Sequence, residues 1–150
     1  MSESLGWGWS VLVTVAVVAA FFVWRGATTS SAAQVVDDAA TPSGWKTIEY
    51  EGVQVHIPSE WRRSDRSDCE FAFERWAPPD EVGCDAKGDG VSSYVSATFD
   101  PKYGPGMRRG DAAVDAAAWA GYTYAGDYAV YVSGEDRGLV AEVLQSARPT

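Results

Sequence analysis

One histidine, two cysteines and a surplus of tyrosines are the side chains best placed to do chemistry in this 150-residue chain. His56 sits in "VQVHIP", where it alternates with Val55 and Ile57 and shares a strand face with Gln54. A general base there would need a nucleophile on a strained turn, and no G-x-S-x-G is present. "DAKGDG", Asp85 to Gly90, resembles half a calcium loop, but Lys87 takes the third ligand position and Ser96 the twelfth, so it reads as a polar loop. "RGD" at Arg109 to Asp111 reads as a chance triplet whose aspartate is better used as a helix cap. "KYGPGMRRGD" has glycines but not the spacing of a phosphate loop, and reads as an exposed loop. No catalytic residue, cofactor-binding residue or metal ligand is expected, and no cofactor.

Cys69 and Cys84 enclose "APPDEVG", and with no CxxC spacing and one histidine a zinc site is not expected. Paired, they would close a loop worth about 3 kcal/mol by the chain-entropy estimate and imply an oxidising compartment. Unpaired, they would be two buried thiols. The aromatic surplus, Tyr94, Tyr122, Tyr124, Tyr128 and Tyr131 with Trp119 and Trp76, has two readings. Cross-strand packing would absorb most of it, or Tyr94, Tyr122, Tyr124 and Trp119 would form a platform for a glycan or a peptide. Arg62, Arg63 and Arg66, interleaved with Asp65 and Asp68, read as a solvated loop. With 12 basic against 21 acidic residues the net charge is −9, which disfavours nucleic acid and anionic lipid headgroups as partners.

These residues must be held by something. Leu5 to Trp24, "LGWGWSVLVTVAVVAAFFVW", carries no charge and as a helix would span roughly 30 Å, the hydrocarbon thickness. Trp7, Trp9 and Trp24 sit at its ends, where indoles prefer the headgroup layer. Residues 5–24 are therefore expected to be a transmembrane helix, an uncleaved signal anchor, although "SAA" before Gln34 is a possible cleavage site. Arg25 on the C-terminal flank favours a cytoplasmic domain by the positive-inside rule, and the cysteines favour the opposite side. Residues 26–44, small and polar, read as a flexible linker, and residues 45–150 as one domain.

In that domain Ile48 and Tyr50, then Val53, Val55 and Ile57, keep period two on either side of Glu51-Gly52, which gives a hairpin ended by Pro58. Trp61 should fold back over the sheet's end. Further strands are expected over Cys69 to Trp76 and Val91 to Phe99, and a second hairpin over Tyr122 to Val132 with its turn at Gly126-Asp127. "DAAVDAAAWAG", capped by Asp111 and stopped by Gly121, predicts a helix, and Leu139, Val140, Val143, Leu144 and Ala147 mark the apolar face of another. Strands interspersed with helices point to an α+β domain, a mainly antiparallel sheet packed by helices.

The opening "YEGVQVHIPSEW" and the closing "YAVYVSGEDRGLVAEVLQSAR" carry a resemblance. Between them, Trp45 to Arg148 resembles the PsbP-like α/β/α sandwich, and is similar to small membrane-anchored or secreted actinobacterial proteins of unknown function. The resemblance implies a role in binding or assembly and brings no catalytic motif. The expectation is a single-pass, membrane-tethered, extracytoplasmic and non-catalytic binding or accessory module of the cell envelope. Its partners would be the membrane, through the N-terminal helix, and an envelope protein or glycan. The alternatives are an enzyme with an unrecognised site, or a structural or regulatory domain on the cytoplasmic side of the same anchor.

Overall fold

The computed structural model describes Gln34–Val36 and residues 41–150, apart from positions 82, 86 and 101, all of it in the compact unit Ala32–Thr150. The run Leu5 to Trp24 lies outside the described residues. Among those described, no helix is long and apolar enough to cross a membrane.

Period-two alternation produces the first sheet. Strands β2 (Trp45–Tyr50) and β3 (Val53–Pro58) pair antiparallel from Trp45↔Pro58 to Tyr50↔Val53. Glu51 and Gly52 both take positive φ, 49° and 78°, the conformation a two-residue hairpin turn needs. β1 (Gln34–Val36), inside the stretch read as linker, adds to one edge of this sheet, and β10 (Arg148–Pro149) to the other.

The second sheet has six strands, all antiparallel to their neighbours, in the order β4-β5-β6-β9-β8-β7. They are β4 (Arg62–Arg63), β5 (Glu74–Ala77), β6 (Gly90–Val95), β7 (Gly106–Arg109), β8 (Trp119–Ala125) and β9 (Tyr128–Gly134). β8 and β9 form the expected hairpin, with Gly126 at φ 58° in its turn. Helix α1 (Arg137–Ser146) follows, capped by Asp136, whose carboxylate accepts from Leu139 N at 2.8 Å. Its Val140, Val143 and Leu144 pack with Ile48, Val53, Val55 and Ile57 of the first sheet and Val91, Val130 and Val132 of the second. Trp61 closes this core, 2 % exposed. Burying each of these side chains stabilises by about 1.5–3 kcal/mol, so the shared core ties both sheets to the helix.

The expected α+β architecture, a sheet packed by helices in a PsbP-like sandwich, is overturned. The described chain is mostly antiparallel strand with one α-helix. The expected helix over "DAAVDAAAWAG" is reduced to a single turn: Asp111 Oδ1 accepts from Ala113 N at 2.9 Å and Asp111 O from Val114 N at 3.0 Å, as at a helix start. Ala116 then turns to φ 47°, and Trp119 enters β8 opposite Gly134. Alanine's helix preference is worth only a few tenths of a kcal/mol per residue, and a short helix also carries a nucleation cost. Burial of Ala117 and Ala120 and pairing of β8 on both sides outweigh it. Of the two other expected strands, Cys69 to Phe73 stays irregular before β5, and β6 gives way to a 3-10 turn at Ser96–Thr98.

Candidate binding site

Register divides the six-stranded sheet into two faces. Trp76, Val91, Val130, Val132, Gly121, Met107 and Trp119 share the face that meets the core. On the opposite face lie Arg75 and Ser92, then Tyr94 with Ala129, then Tyr131 with Tyr122, and Gly106 and Arg108 on the outer strand. Because side chains alternate, this second face is as much a product of strand pairing as the core is.

Loops wall the second face, and buried arginines hold them there. Arg75, 1 % exposed, donates to Glu81 Oε1 from Nε at 3.1 Å, to Ser92 Oγ at 3.1 Å, and to the carbonyls of Lys87 and Asp89 at 3.0 and 3.2 Å. Gly90 leaves room for it, since a Cβ there would lie 2.7 Å from Arg75 Nη2. Burial pushes the Glu81 carboxyl up, with the Arg75 hydrogen bond pulling the other way. Arg66 stacks 3.9 Å over the Phe73 ring and donates to the Cys84 carbonyl. Cys69 and Cys84 are joined at S–S 2.09 Å, their Cα atoms 5.4 Å apart, which ties together the two loops on either side of β5. The second of these loops brings Asp85 and Lys87 to the site.

Between loops and sheet lies a cavity of about 310 Å³ whose walls include Tyr94, Phe99, Tyr103, Tyr122 and Tyr131, with Arg108 and Asp115. Five rings run in file along this face. Centroids are 4.8 Å apart for Phe73 and Tyr94, 5.5 Å for Tyr94 and Phe99, 4.6 Å for Phe99 and Tyr122, and 5.4 Å for Tyr122 and Tyr124. All four contacts are tilted or edge-on, as the ring quadrupoles prefer.

Asp115, fully buried, is the polar centre. Its carboxylate accepts from Arg108 Nη1 at 2.7 Å and Nη2 at 3.2 Å, from Asp111 N at 2.6 Å, and from the Tyr131 hydroxyl. Its backbone carbonyl accepts from Gly88 N at 2.9 Å, which links the 111–118 turn to the disulfide-tethered loop. Burial pushes the Asp115 carboxyl up, but the Arg108, Tyr131 and Asp111 donors outweigh it and hold it below its ordinary 3.8. The Tyr131 phenol is pushed well up by burial and by its bond to Asp115, and burial raises Tyr94 and Tyr122 too. The phenols therefore stay protonated over the usual pH range and offer neutral hydroxyls. Tyr122 is 5 % exposed, and its buried hydroxyl has the Tyr124 phenol as its polar neighbour.

Of the four residues expected to form a platform, Tyr94 and Tyr122 line the cavity and Tyr124 continues the file at its half-exposed end. Trp119 does not join them. It packs at the edge of the core between the guanidiniums of Arg109 and Arg137, 4.2 and 5.3 Å from the ring centroid. The odd separation from Tyr122 and Tyr124 to Trp119 or Tyr131 is not the same in consequence: Tyr131 returns to the cavity face because it lies on the partner strand. His56 is in the first sheet, its Nε2 3.3 Å from Arg148 Nη1.

The arginines read as a solvated loop are also structural. Arg62 and Arg63 form β4, and Arg63 Nη2 pairs with the buried Glu74 at 2.9 Å. The stretch read as an exposed loop supplies β7 and Arg108. Arg108, Asp115 and Tyr131 were not foreseen as a group, for no fixed spacing joins residues on two strands and a turn. Among the described residues no cluster of His, Cys, Asp or Glu has the arrangement of a metal site. In comparison with known proteins, the chain matches no family model, no curated protein and no solved structure.

Proposed function

We propose that this chain is a membrane-tethered, non-catalytic binding module of the cell envelope, with its ligand in the cavity on the second face of the six-stranded sheet. One observation carries the reading: an aromatic-walled cavity of about 310 Å³ contains a few fixed polar groups, within the range of about 300–1,000 Å³ usual for small-molecule sites. Its polar chemistry favours binding over catalysis. The Asp115 oxygens are taken up by four donors, and the Tyr131 phenol is held far from the pKa a general base would need.

The cysteine pair supports an extracytoplasmic location, since such bridges persist in oxidising compartments. The run Leu5 to Trp24 supports the tether. Protease added to intact spheroplasts should cleave the domain, and protection would favour the cytoplasmic alternative to which Arg25 points.

Binding is tested with the full-length protein in lipid nanodiscs and a library of small ring-containing fragments, read by ligand-observed NMR. Val114 lines the cavity and is 53 % exposed, so Val114→Trp should block it at little cost to folding. Fragments that bind the wild type should lose their signal in that variant. Binding that ignores Val114→Trp would place the ligand elsewhere and overturn the reading.

A further inference from the structure

The outer strand β7 is a bare sheet edge, and we infer that it docks an extended acidic segment of another protein, which adds as an antiparallel strand of the pattern acidic-x-apolar. The side chains that would read this segment lie on the face of the sheet opposite the cavity. The backbone comes first. β7 pairs only with β8. Gly110 N donates to Ala118 O at 2.8 Å, so by antiparallel alternation Arg108 and Gly106 also bond to β8, while Met107 and Arg109 direct their N–H and C=O groups away from it. The Arg109 carbonyl accepts from Arg108 Nη1 at 3.0 Å; the Met107 groups and the Arg109 N–H have no partner among the described residues.

Side chains then decide what fits. Met107 and Arg109 share the core-side face with Trp119. Beside Met107 a groove of about 410 Å³ lies between the sheet and α1, its walls including Ala141, Leu144 and Ala147. Arg109 and Arg137, both exposed, stack on the Trp119 ring, and among the described residues neither guanidinium has a carboxylate or any other hydrogen-bond acceptor. A ring face attracts a cation but accepts few of its N–H bonds. The acidic residues next to them in the chain are engaged with backbone instead: Asp111 accepts from Ala113 N at 2.9 Å, Glu135 from Ala118 N at 3.1 Å and Asp136 from Leu139 N at 2.8 Å. In a chain of net charge −9 this edge is locally basic, and an acidic partner complements it. A second copy would set Arg108 and Arg109 against their own counterparts.

The pattern follows from register. An antiparallel strand meets Arg109 first and Met107 two residues later on the same face, so a carboxylate reaches the two guanidiniums and an apolar side chain leans into the groove. Main-chain bonds supply affinity and the alternate side chains specificity. β7 has four residues, about 13 Å of edge, so the complex is small and transient.

Full-length protein in phosphatidylcholine nanodiscs is titrated with the blocked peptide acetyl-Thr-Glu-Thr-Leu-Thr-amide, read by saturation-transfer NMR. Binding at millimolar concentration or below is expected, and the peptide with lysine in place of glutamate should bind at least fivefold more weakly. Arg109→Gln and Arg137→Gln, changes at exposed positions, should each weaken the acidic peptide about threefold or more. N-methylation of its glutamate and leucine, whose N–H groups would face β7, should abolish binding, whereas N-methylation of the central threonine, whose N–H faces away, should not. That comparison uses the wild-type protein and stands whatever the variants do to folding. Val114→Trp should leave peptide binding unchanged, so this edge and the cavity are tested separately.

Equal binding of the lysine peptide, or binding indifferent to both arginine variants, would overturn the acidic partner. Equal effects of the two N-methylation patterns would overturn strand addition, and loss of binding in Val114→Trp alone would place the peptide in the cavity. Self-association that Arg109→Gln strengthens would make a second copy the occupant. If no peptide binds, the arginines merely guard the edge against pairing, and the inference falls.

Discussion

Replacing Asp115 by alanine would strip the cavity's polar centre of its acceptor. Three neighbours lose a partner at once: the Arg108 guanidinium, the Tyr131 hydroxyl and the Asp111 N–H. Removing one member of a buried ion pair costs about 3–5 kcal/mol. Asp115 is completely buried, but the Arg108 side chain keeps 23 % of its exposure, so water recovers part of the loss and the low end applies. The expected cost is about 3 kcal/mol, out of about 5–15 for a domain of ordinary stability. Asp115→Asn keeps the shape and one acceptor oxygen, and should cost about 1–2 kcal/mol. Urea unfolding followed by tryptophan fluorescence reads both. With a slope of about 1–3 kcal/mol per molar, alanine should lower the midpoint by about 1–3 M.

The same carboxylate has a pH signature. Its folded pKa lies below the ordinary value, so its contribution is fully present above about pH 4 and disappears as the pH falls through the folded value. Asp115→Asn should flatten that part of the acid limb. A loss under about 1 kcal/mol for Asp115→Ala would be no more than an exposed pair is worth. That result, or an acid limb unchanged in Asp115→Asn, would refute the assignment of Asp115 as the buried hub.

Other perturbations separate fold from site. Reducing Cys69–Cys84 opens a loop of 15 residues' separation and should cost about 3 kcal/mol, visible as a lower melting temperature with reductant; an unchanged melt would count against the bridge's role. Ala116→Gly relieves a positive φ that disfavours a side chain, so the melt should stay level or rise by the equivalent of up to about 1 kcal/mol, and a clear fall would contradict the observed turn. Trp119→Ala removes a ring from the core's edge and should destabilise by about 3–5 kcal/mol or somewhat less, given its partial exposure, while leaving fragment affinity unchanged at temperatures where the variant is folded. A selective loss of binding there would return Trp119 to the site.

What was legible in the residues themselves was local. Period two about Glu51-Gly52 and about Gly126-Asp127 specifies two hairpins, because a side chain's face alternates along a strand and a two-residue turn sets the register. The apolar positions 139, 140, 143, 144 and 147 specify α1 for the same kind of reason, and the structure adds the cap at Asp136. Tyr94 and Tyr122 could be named as candidates from aromatic content, and the odd step from Trp119 to Tyr122 on one strand already carried the signal that the two point apart. The remainder depended on partners distant in the chain. Arg62–Arg63, Gly106–Arg109 and Arg148–Pro149 are strands only because an edge is waiting for them, and nothing in two to four residues announces an edge. Residues 111–118 had the composition of a helix, but a preference of tenths of a kcal/mol per residue yields to burial and strand pairing. Arg108, Asp115 and Tyr131 meet because β7 and β9 flank β8 and the 111–118 turn folds over them. A buried carboxylate gathers donors from wherever the packing brings them, so that site was decided by tertiary structure alone.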